Sequence, residues 1–383
     1  MAPELPLPDD DARAQSARVA AYVHAEIARA GGFIPFAQYM ELVLYAPGLG
    51  YYVGGATKLG DAGDFVTAPE LTPLYGAALA QQLDAVLAGS GERTILELGA
   101  GSGALAASLL NALAARGRLP LRYLILEPSP QLRARQQATL EARATAVGAR
   151  IEWLDRLPDT IDGAVVMNEV LDAIPPHVVV RRSGAWFERG VSVVHERFAW
   201  AERPLDDAHV KALASTRFPE ADDYTSEVNP AAEALVATLG RRLNAGALLI
   251  VDYGFPRREY FHAQRTRGTL VGHYRHHVHD DPFLWPGLSD LTAHIDFTAI
   301  AEAGERAGLH VAGFATKASF LLGCGILDRL RDVGPPDSAD YIRAAAAVQK
   351  LVSPAEMGEL FKVLLLARGD VPFLAVADMT HRL

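Results

Sequence analysis

Apolar residues recur at helical spacing at Val19, Tyr22, Val23 and Ile27, and predict a helix from Asp11 that stops at Gly31-Gly32. Phe33 to Met40 predicts a turn and a second short helix, followed by a loop dense in glycine and aromatics from Leu44 to Tyr52. Thr72-Pro73 starts a helix through about Leu87. Beyond it the pattern changes to short continuous apolar runs that alternate with helical stretches. The runs are Thr94 to Leu98, Tyr123 to Leu126, Arg150 to Leu154, Gly163 to Met167 and Ala247 to Val251. Between them, Leu105, Leu109, Leu110 and Leu113 mark one helix, and others are predicted from about Gln131 to Ala146 and over 230–243. Such alternation predicts a parallel sheet covered by helices.

Two stretches depart from it. Residues 178–203 read as a β-hairpin or two, with separate runs at Val178-Val179-Val180, Ala185 to Arg189 and Val191 to Val194. Residues 255–290 are loop-like and rich in His, Arg and aromatics. A helix over 297–307, a strand from Leu309 to Phe314 and two or three helices follow. The runs Phe361 to Ala367 and Pro372 to Val376 suit an antiparallel end to a mixed sheet.

The chemistry gathers where apolar runs end. Glu97-Leu98-Gly99-Ala100-Gly101-Ser102-Gly103 joins a strand to a helix through three alternate glycines. Glycines permit positive φ and close approach of a ligand to bare helix N-terminal amides. A dinucleotide or S-adenosylmethionine (SAM) could use this turn, since Gly101-x-Gly103-x-x-Ala106 also satisfies the dinucleotide spacing. Glu97 favours SAM, because a carboxylate inside the strand attracts the ligand's ammonium and repels a pyrophosphate. Glu127 ends the next run, where a ribose diol is held in both ligand classes. Asp155, at the third strand end, either bonds an adenine amino group or caps a turn.

The fourth run leads into Asn168-Glu169-Val170-Leu171-Asp172-Ala173-Ile174-Pro175. Polar groups at the carboxyl end of a buried parallel strand sit where open α/β sheets bind ligands, so Asn168, Glu169 and Asp172 are catalytic candidates. The segment from Gly60 to Glu70, with Asp64, Phe65 and Thr67, reads either as an exposed turn or as a lid that helps bind a cofactor. His273-x-x-His276-His277-x-His279 invites a metal reading, but no clean ligand set accompanies it, so no metal is expected.

Composition narrows the classes. A formal charge of −10 argues against a nucleic-acid footprint, and no run is long enough for a membrane span. A single cysteine, Cys324, excludes an internal disulfide framework. The acidic start lacks an apolar signal core and transit character, which favours a bacterial cytoplasm.

These residues together resemble the MidA-type family of SAM-dependent methyltransferases, whose mitochondrial members assist assembly of respiratory complex I. The resemblance rests on Gly63 to Glu70, Glu97 to Gly103, Glu127-Pro128-Ser129-Pro130, Asn168 to Pro175, Asp252-Tyr253-Gly254, Asp290-Leu291-Thr292, Asp296-Phe297 and Met357 to Lys362. It implies an α/β fold: a seven-strand, Rossmann-like class I methyltransferase core with an N-terminal helical cap and insertions. The expected division is a cap and lid over residues 1–90 and a core over 91–383, with insertions near 178–224 and 255–292. It implies methyl transfer from SAM to an arginine of a protein substrate, a complex I subunit in mitochondrial relatives. Asp64, Phe65, Thr67, Glu97, Gly99, Gly101, Gly103, Glu127, Ser129, Asp155 and Asn168 are then expected at the cofactor. Glu169 is the first choice to hold the acceptor guanidinium, with Glu227 as a second clamp, Asp172 as a fallback and Asn168 beside them. A homodimer is one assembly state to expect. A nicotinamide-dependent oxidoreductase would leave Glu97 and the Asn168-Glu169 turn unexplained, and a SAM-binding assembly factor without turnover is the alternative from another class.

Overall fold

The computed structural model describes residues 5–54, 67–144 and 149–383, which fall into two compact units. One comprises Met1–Val66, Asp172–Ala232 and Arg257–His294; the other comprises Thr67–Leu171, Glu233–Pro256 and Ile295–Leu383.

The second unit is built on a twisted sheet. Its strands are β1 (Thr94–Leu98), β2 (Arg122–Leu126), β3 (Arg150–Leu154), β4 (Ile161–Asn168), β5 (Leu243–Phe255), β6 (His310–Thr316) and β7 (Phe361–Arg368). They lie in the order β6-β7-β5-β4-β1-β2-β3, and Ile295–Asp296 adds a short pairing at the end of β5. The neighbours from β5 to β3 run parallel, whereas β7 is antiparallel to both β5 and β6. Helices α1 (Ala104–Ala115) and α2 (Pro130–Arg143) connect β1 to β2 and β2 to β3. This is the α/β architecture that the alternating pattern predicts. In β1 every residue is buried, Glu97 included, as a central parallel strand requires. Val166, Leu249, Val251, Val363 and Leu365 meet Leu79, Leu83, Leu109 and Leu113 in one core. Those side chains come from the helices Pro73–Ala88 and α1.

The second terminal run departs from expectation. Residues 372–376 form no strand. Pro372 has no N–H to give a ladder, and its carbonyl accepts from Gln82 Nε2 at 2.8 Å. The Leu374 amide donates to Gln82 Oε1 at 2.9 Å, and Phe373 packs against Gly313, where an added Cβ would meet its ring at 2.0 Å. The segment is thus bound by side chains rather than by strand pairing.

The first unit has its own sheet. Ala185–Val194 pairs antiparallel with Ile34–Pro35, His177–Arg182 and Arg197–Pro204, and Tyr224–Val228 extends the sheet beside His177–Arg182. The runs Ala185 to Arg189 and Val191 to Val194 are therefore one ten-residue strand, carried through Gly190. An added Cβ at Gly190 would meet Ile34 O at 2.1 Å, so a pairing strand, not a turn, needs that glycine. Residues 255–290 are more ordered than their composition predicts, since Val271–Tyr274 pairs with His277–His279 and with Asp290–Thr292. Val19, Val23, Ile27, Phe36, Tyr39 and Val43 pack with Val178, Val191 and Leu291 beneath this unit's sheet. Among the described residues no helix is long and apolar enough to cross a membrane.

Candidate active site

The glycine turn is shaped by backbone that only glycine adopts readily. Gly99, Gly101 and Gly103 have φ of 65°, 54° and 86°. At Gly99 a Cβ would meet Val170 Cγ2 at 2.8 Å, so the turn after β1 closes directly on the turn after β4. Ser102 Oγ donates to Glu70, on the short helix Ala68–Leu71, and accepts from the Ala104 amide at 3.3 Å. Thr67 precedes that helix, and its carbonyl accepts from Glu70 N at 3.0 Å. Asp64 and Phe65 lie outside the described residues.

Glu97 is buried and accepts from the Tyr123 hydroxyl at 2.7 Å. Burial pushes its carboxyl up to about 7, against the opposing pull of that bond. Glu127 stands at the end of β2. Its Oε1 accepts from the Ser129 amide at 2.9 Å and its Oε2 from Gln136 Nε2 at 3.1 Å. Burial raises this carboxyl, and the two bonds and Arg133 oppose the rise. Ser129 also caps α2, accepting from Leu132 N at 3.4 Å. Asp155 is largely exposed and pairs with Arg133 at 2.5 Å.

One residue that the motif reading missed ties these parts together. Gln136 is fully buried; its Nε2 also donates to Gly101 O at 3.1 Å, and its Oε1 accepts from Trp153 Nε1 at 2.9 Å. Glycine turn, β2 acid and β3 are thereby held by one amide. The available signal was its spacing from buried Leu140, four residues on along an otherwise polar helix. The cradle fits an adenosyl ligand: glycine backbone open to close approach, an ionisable acid inside β1, and a second acid fixed at the end of β2.

The turn after β4 adds a second polar group. Asn168 Oδ1 accepts from the Tyr75 hydroxyl at 2.5 Å, and Asn168 Nδ2 donates to Glu169 Oε1 at 3.0 Å. Glu169 has φ of 54°, a left-handed conformation that costs a non-glycine residue roughly 1–2 kcal/mol. It is held there from both sides. Its amide donates to Val251 O at 2.8 Å, while Asp252 Oδ2 accepts from the amides of Val170 and Leu171 at 3.2 and 2.9 Å. The Ala68 amide donates to the Glu169 carboxylate, and a buried lysine, Lys317, faces it electrostatically. Burial raises the Glu169 carboxyl, and Lys317, Asn168 and Ala68 counter the rise. Tyr75 and Lys317 escaped the sequence reading, although each stands on an apolar face: Tyr75 with Leu79 and Leu83, Lys317 with Phe320 and Leu321.

Asp172 and Glu227 belong to the first unit. The Asp172 carbonyl accepts from Ala293 N at 3.0 Å, and its buried carboxylate raises the Tyr45 and Tyr52 hydroxyls after burial and Asp290. Glu227 is buried and already engaged. Thr269 N donates to it at 3.0 Å, and Thr269 Oγ1 and Tyr260 OH donate at 3.1 Å each. Among the described residues no group of His, Cys, Asp and Glu is arranged to hold a metal ion.

Comparison with known proteins matches this geometry to a chemistry. A family model described as S-adenosyl-L-methionine-dependent methyltransferase matches residues 75–315. The chain is 30% identical over 368 residues to the protein arginine methyltransferase NDUFAF7, mitochondrial, of Danio rerio, covering 87% of this chain and 83% of the relative. The protein of the same name from Homo sapiens is 28% identical over 366 residues, covering 88% and 80%. The crystal structure of a protein from Burkholderia thailandensis bound to S-adenosyl-homocysteine superposes with a TM-score of 0.94 at 50% identity, covering 99% of this chain and 100% of that one.

Proposed function

We propose a substrate class for this chain, which belongs to the MidA-type family of SAM-dependent methyltransferases: it methylates an arginine side chain of a protein. SAM supplies an activated methyl group, so the protein's task is to present the acceptor nitrogen to it. An arginine guanidinium is charged, with pKa above ~12, and needs a carboxylate to hold it and orient one nitrogen. The observation that carries the reading is Glu169. Its strained backbone is fixed by Val251 and Asp252, its carboxylate is oriented by Asn168 and Ala68, and its turn packs on the glycine turn through Val170 and Gly99. The names of the relatives, protein arginine methyltransferases, favour the same acceptor.

In this reading Glu169 holds the guanidinium, and Asn168, itself held by Tyr75, sets the carboxylate's orientation. Glu97 faces the ligand's ammonium and Glu127 its ribose. Gly99, Gly101 and Gly103 let the ligand approach the backbone, and Ser129 and Gln136 hold Glu127. Asp155 is assigned to the adenine and Thr67 to the cofactor. The partner is a protein, with a complex I subunit or its counterpart the first to try, in the cytoplasm of a bacterium.

The test is methyl incorporation. The protein is incubated with SAM labelled in the methyl group and an extract of cells whose own copy is deleted, and the labelled protein is hydrolysed to amino acids. Label on methylated arginine is expected, with Glu169→Gln losing turnover at least tenfold while its S-adenosyl-homocysteine affinity stays within about threefold. Label on another amino acid refutes the substrate class, and full turnover in Glu169→Gln refutes the residue's role. Binding of the adenosyl ligand with no incorporation would favour an assembly factor.

A further inference from the structure

Lys317 opens the helix Lys317–Gly323 directly after β6, and its side chain is fully buried. Among the described residues its ammonium nitrogen has no hydrogen-bond acceptor, and it stands 3.7 Å from the centroid of the Phe361 ring. A buried ammonium without an acceptor costs several kcal/mol unless its charge is paired or lost. Strand register places it at the same end of the sheet as Glu169. Thr316 pairs with Lys362, Phe361 with Tyr253, and Val251 with Asn168. Phe361 and Tyr253 also touch, with ring centroids 4.4 Å apart. Burial pulls Lys317 down to about 7, and the charge of Glu169 opposes that fall.

The other groups around the pair are committed. Tyr75 and Cys324 are held neutral by burial, the thiol pushed up to about 12. Asp252 accepts from the amides of Val170, Leu171 and Tyr253. The Lys362 ammonium donates to Glu359 O, and Arg329, on Ile326–Arg331, donates to Gln81 at 3.2 Å. On Ala339–Val352, Asp340 and Arg343 pair with each other at exposed positions. Among the described residues Glu169 is thus the carboxylate whose charge faces Lys317.

We propose that Lys317 is a positioning residue, the resident counter-ion of Glu169, which yields its proton when a cationic acceptor takes its place beside the carboxylate. The proposal rests on Glu169 being the acceptor-holding carboxylate. The charges balance: one guanidinium enters and one proton leaves Lys317 for solvent. In the transfer, the carbon–sulfur pair stays with sulfur and the acceptor nitrogen bonds the methyl carbon. The acceptor's N–H proton leaves by way of Glu169 to solvent, and the Lys317 amine takes a proton up again. Recharged, Lys317 again competes for Glu169 and favours release of the cationic product. One proton is released per turnover.

The chain has five lysines, so labelling the lysine ε-carbons with ¹³C gives few NMR signals, and loss of one in Lys317→Arg assigns Lys317. Titrations use the S-adenosyl-homocysteine complex, with ethylguanidinium as the cationic probe. In the wild type, the probe is expected to lower the Lys317 midpoint. In Glu169→Gln the midpoint falls by about one pH unit or more, tenfold in proton affinity, and no longer responds to the probe. If Glu169→Gln does not fold, Glu169→Asp must lower the midpoint in the same sense. A Lys317 midpoint indifferent to both variants, or a wild-type midpoint indifferent to ethylguanidinium, overturns the proposal. Failure of the Glu169 reading shows separately, as full methyl incorporation in Glu169→Gln with the lysine shift intact; that result also removes the exchange. In the incorporation assay Lys317→Met should flatten the wild-type rise of kcat/KM between pH 6 and 8, which a packing role alone would not move; a rise unchanged in slope and midpoint overturns the proposal.

Discussion

Glu97→Gln tests whether the acid inside β1 takes part in cofactor binding through its charge. The residue is 2% exposed, and burial lifts its carboxyl from 4.5 to about 7. S-adenosyl-homocysteine carries an α-amino group that is an ammonium at neutral pH. If the ionised carboxylate attracts that ammonium, binding selects the deprotonated form. Affinity then falls as pH drops through 7, by about 1.36 kcal/mol or tenfold per unit. At pH 5 the loss is on the order of 100-fold, or ~2.7 kcal/mol. The free protein has the opposite slope. Its unfolded chain releases the Glu97 proton near 4.5 and the folded one near 7, so stability is lost as pH rises between them, by at most about 3 kcal/mol. Calorimetric titration with S-adenosyl-homocysteine from pH 5 to 9, on wild type and Glu97→Gln, reads the first effect. Thermal melts of the free proteins read the second. The variant should lose the acid limb of the affinity profile, bind roughly 10-fold more weakly at pH 7.5, and melt no lower than wild type at pH 8. An acid limb that persists in Glu97→Gln, or a flat wild-type profile, would refute the reasoning.

Two other side chains separate cofactor binding from turnover. Glu127→Ala removes the acceptor of Ser129 N and Gln136 Nε2 and the proposed ribose contact; about 1.5–3 kcal/mol, or 10- to 100-fold in S-adenosyl-homocysteine affinity, should be lost, and an unaltered Kd would remove Glu127 from the site. Asp252→Asn weakens the charged acceptor that holds Val170 and Leu171, and with it the left-handed Glu169. Methyl incorporation should fall at least tenfold with ligand affinity within about threefold, and equal losses in both would place Asp252 at the cofactor instead.

The sequence made the parallel core readable because buried parallel strands read as near-continuous apolar runs, as Ile95-Leu96 in β1 and Ala164 to Met167 in β4 do. It also marked the acids, since a charge at the end of such a strand has little structural excuse. What it could not display were interactions made across the sheet. Gln136 bonds Gly101, Glu127 and Trp153 from positions 35, 9 and 17 residues away in the chain, a convergence created only by the register of β1, β2 and β3. The strand through Gly190 was misread for the opposite reason. A glycine inside an apolar run suggests a turn, but here it makes room for Ile34 O on a neighbouring strand. Likewise the Pro372 to Val376 run has strand composition, yet its polar backbone is taken by Gln82, which lies 290 residues earlier.

Glu169 joins these two kinds of information. Its position at the end of an apolar run is written locally, but its backbone conformation is not. A non-glycine residue with φ of 54° persists only where neighbours over-determine it, and here β5 supplies them, through Val251 O and the Asp252 carboxylate. A carboxylate needed only to satisfy buried amides could sit on a relaxed backbone, as Asp252 does. That Glu169 is instead kept strained, raised by burial and opposed by an ammonium with no hydrogen-bond acceptor, fits a carboxylate kept for a cation that arrives from outside. The Asp252→Asn experiment weighs this argument directly, because it relaxes the turn while leaving every atom of Glu169, Asn168 and Lys317 in the chain.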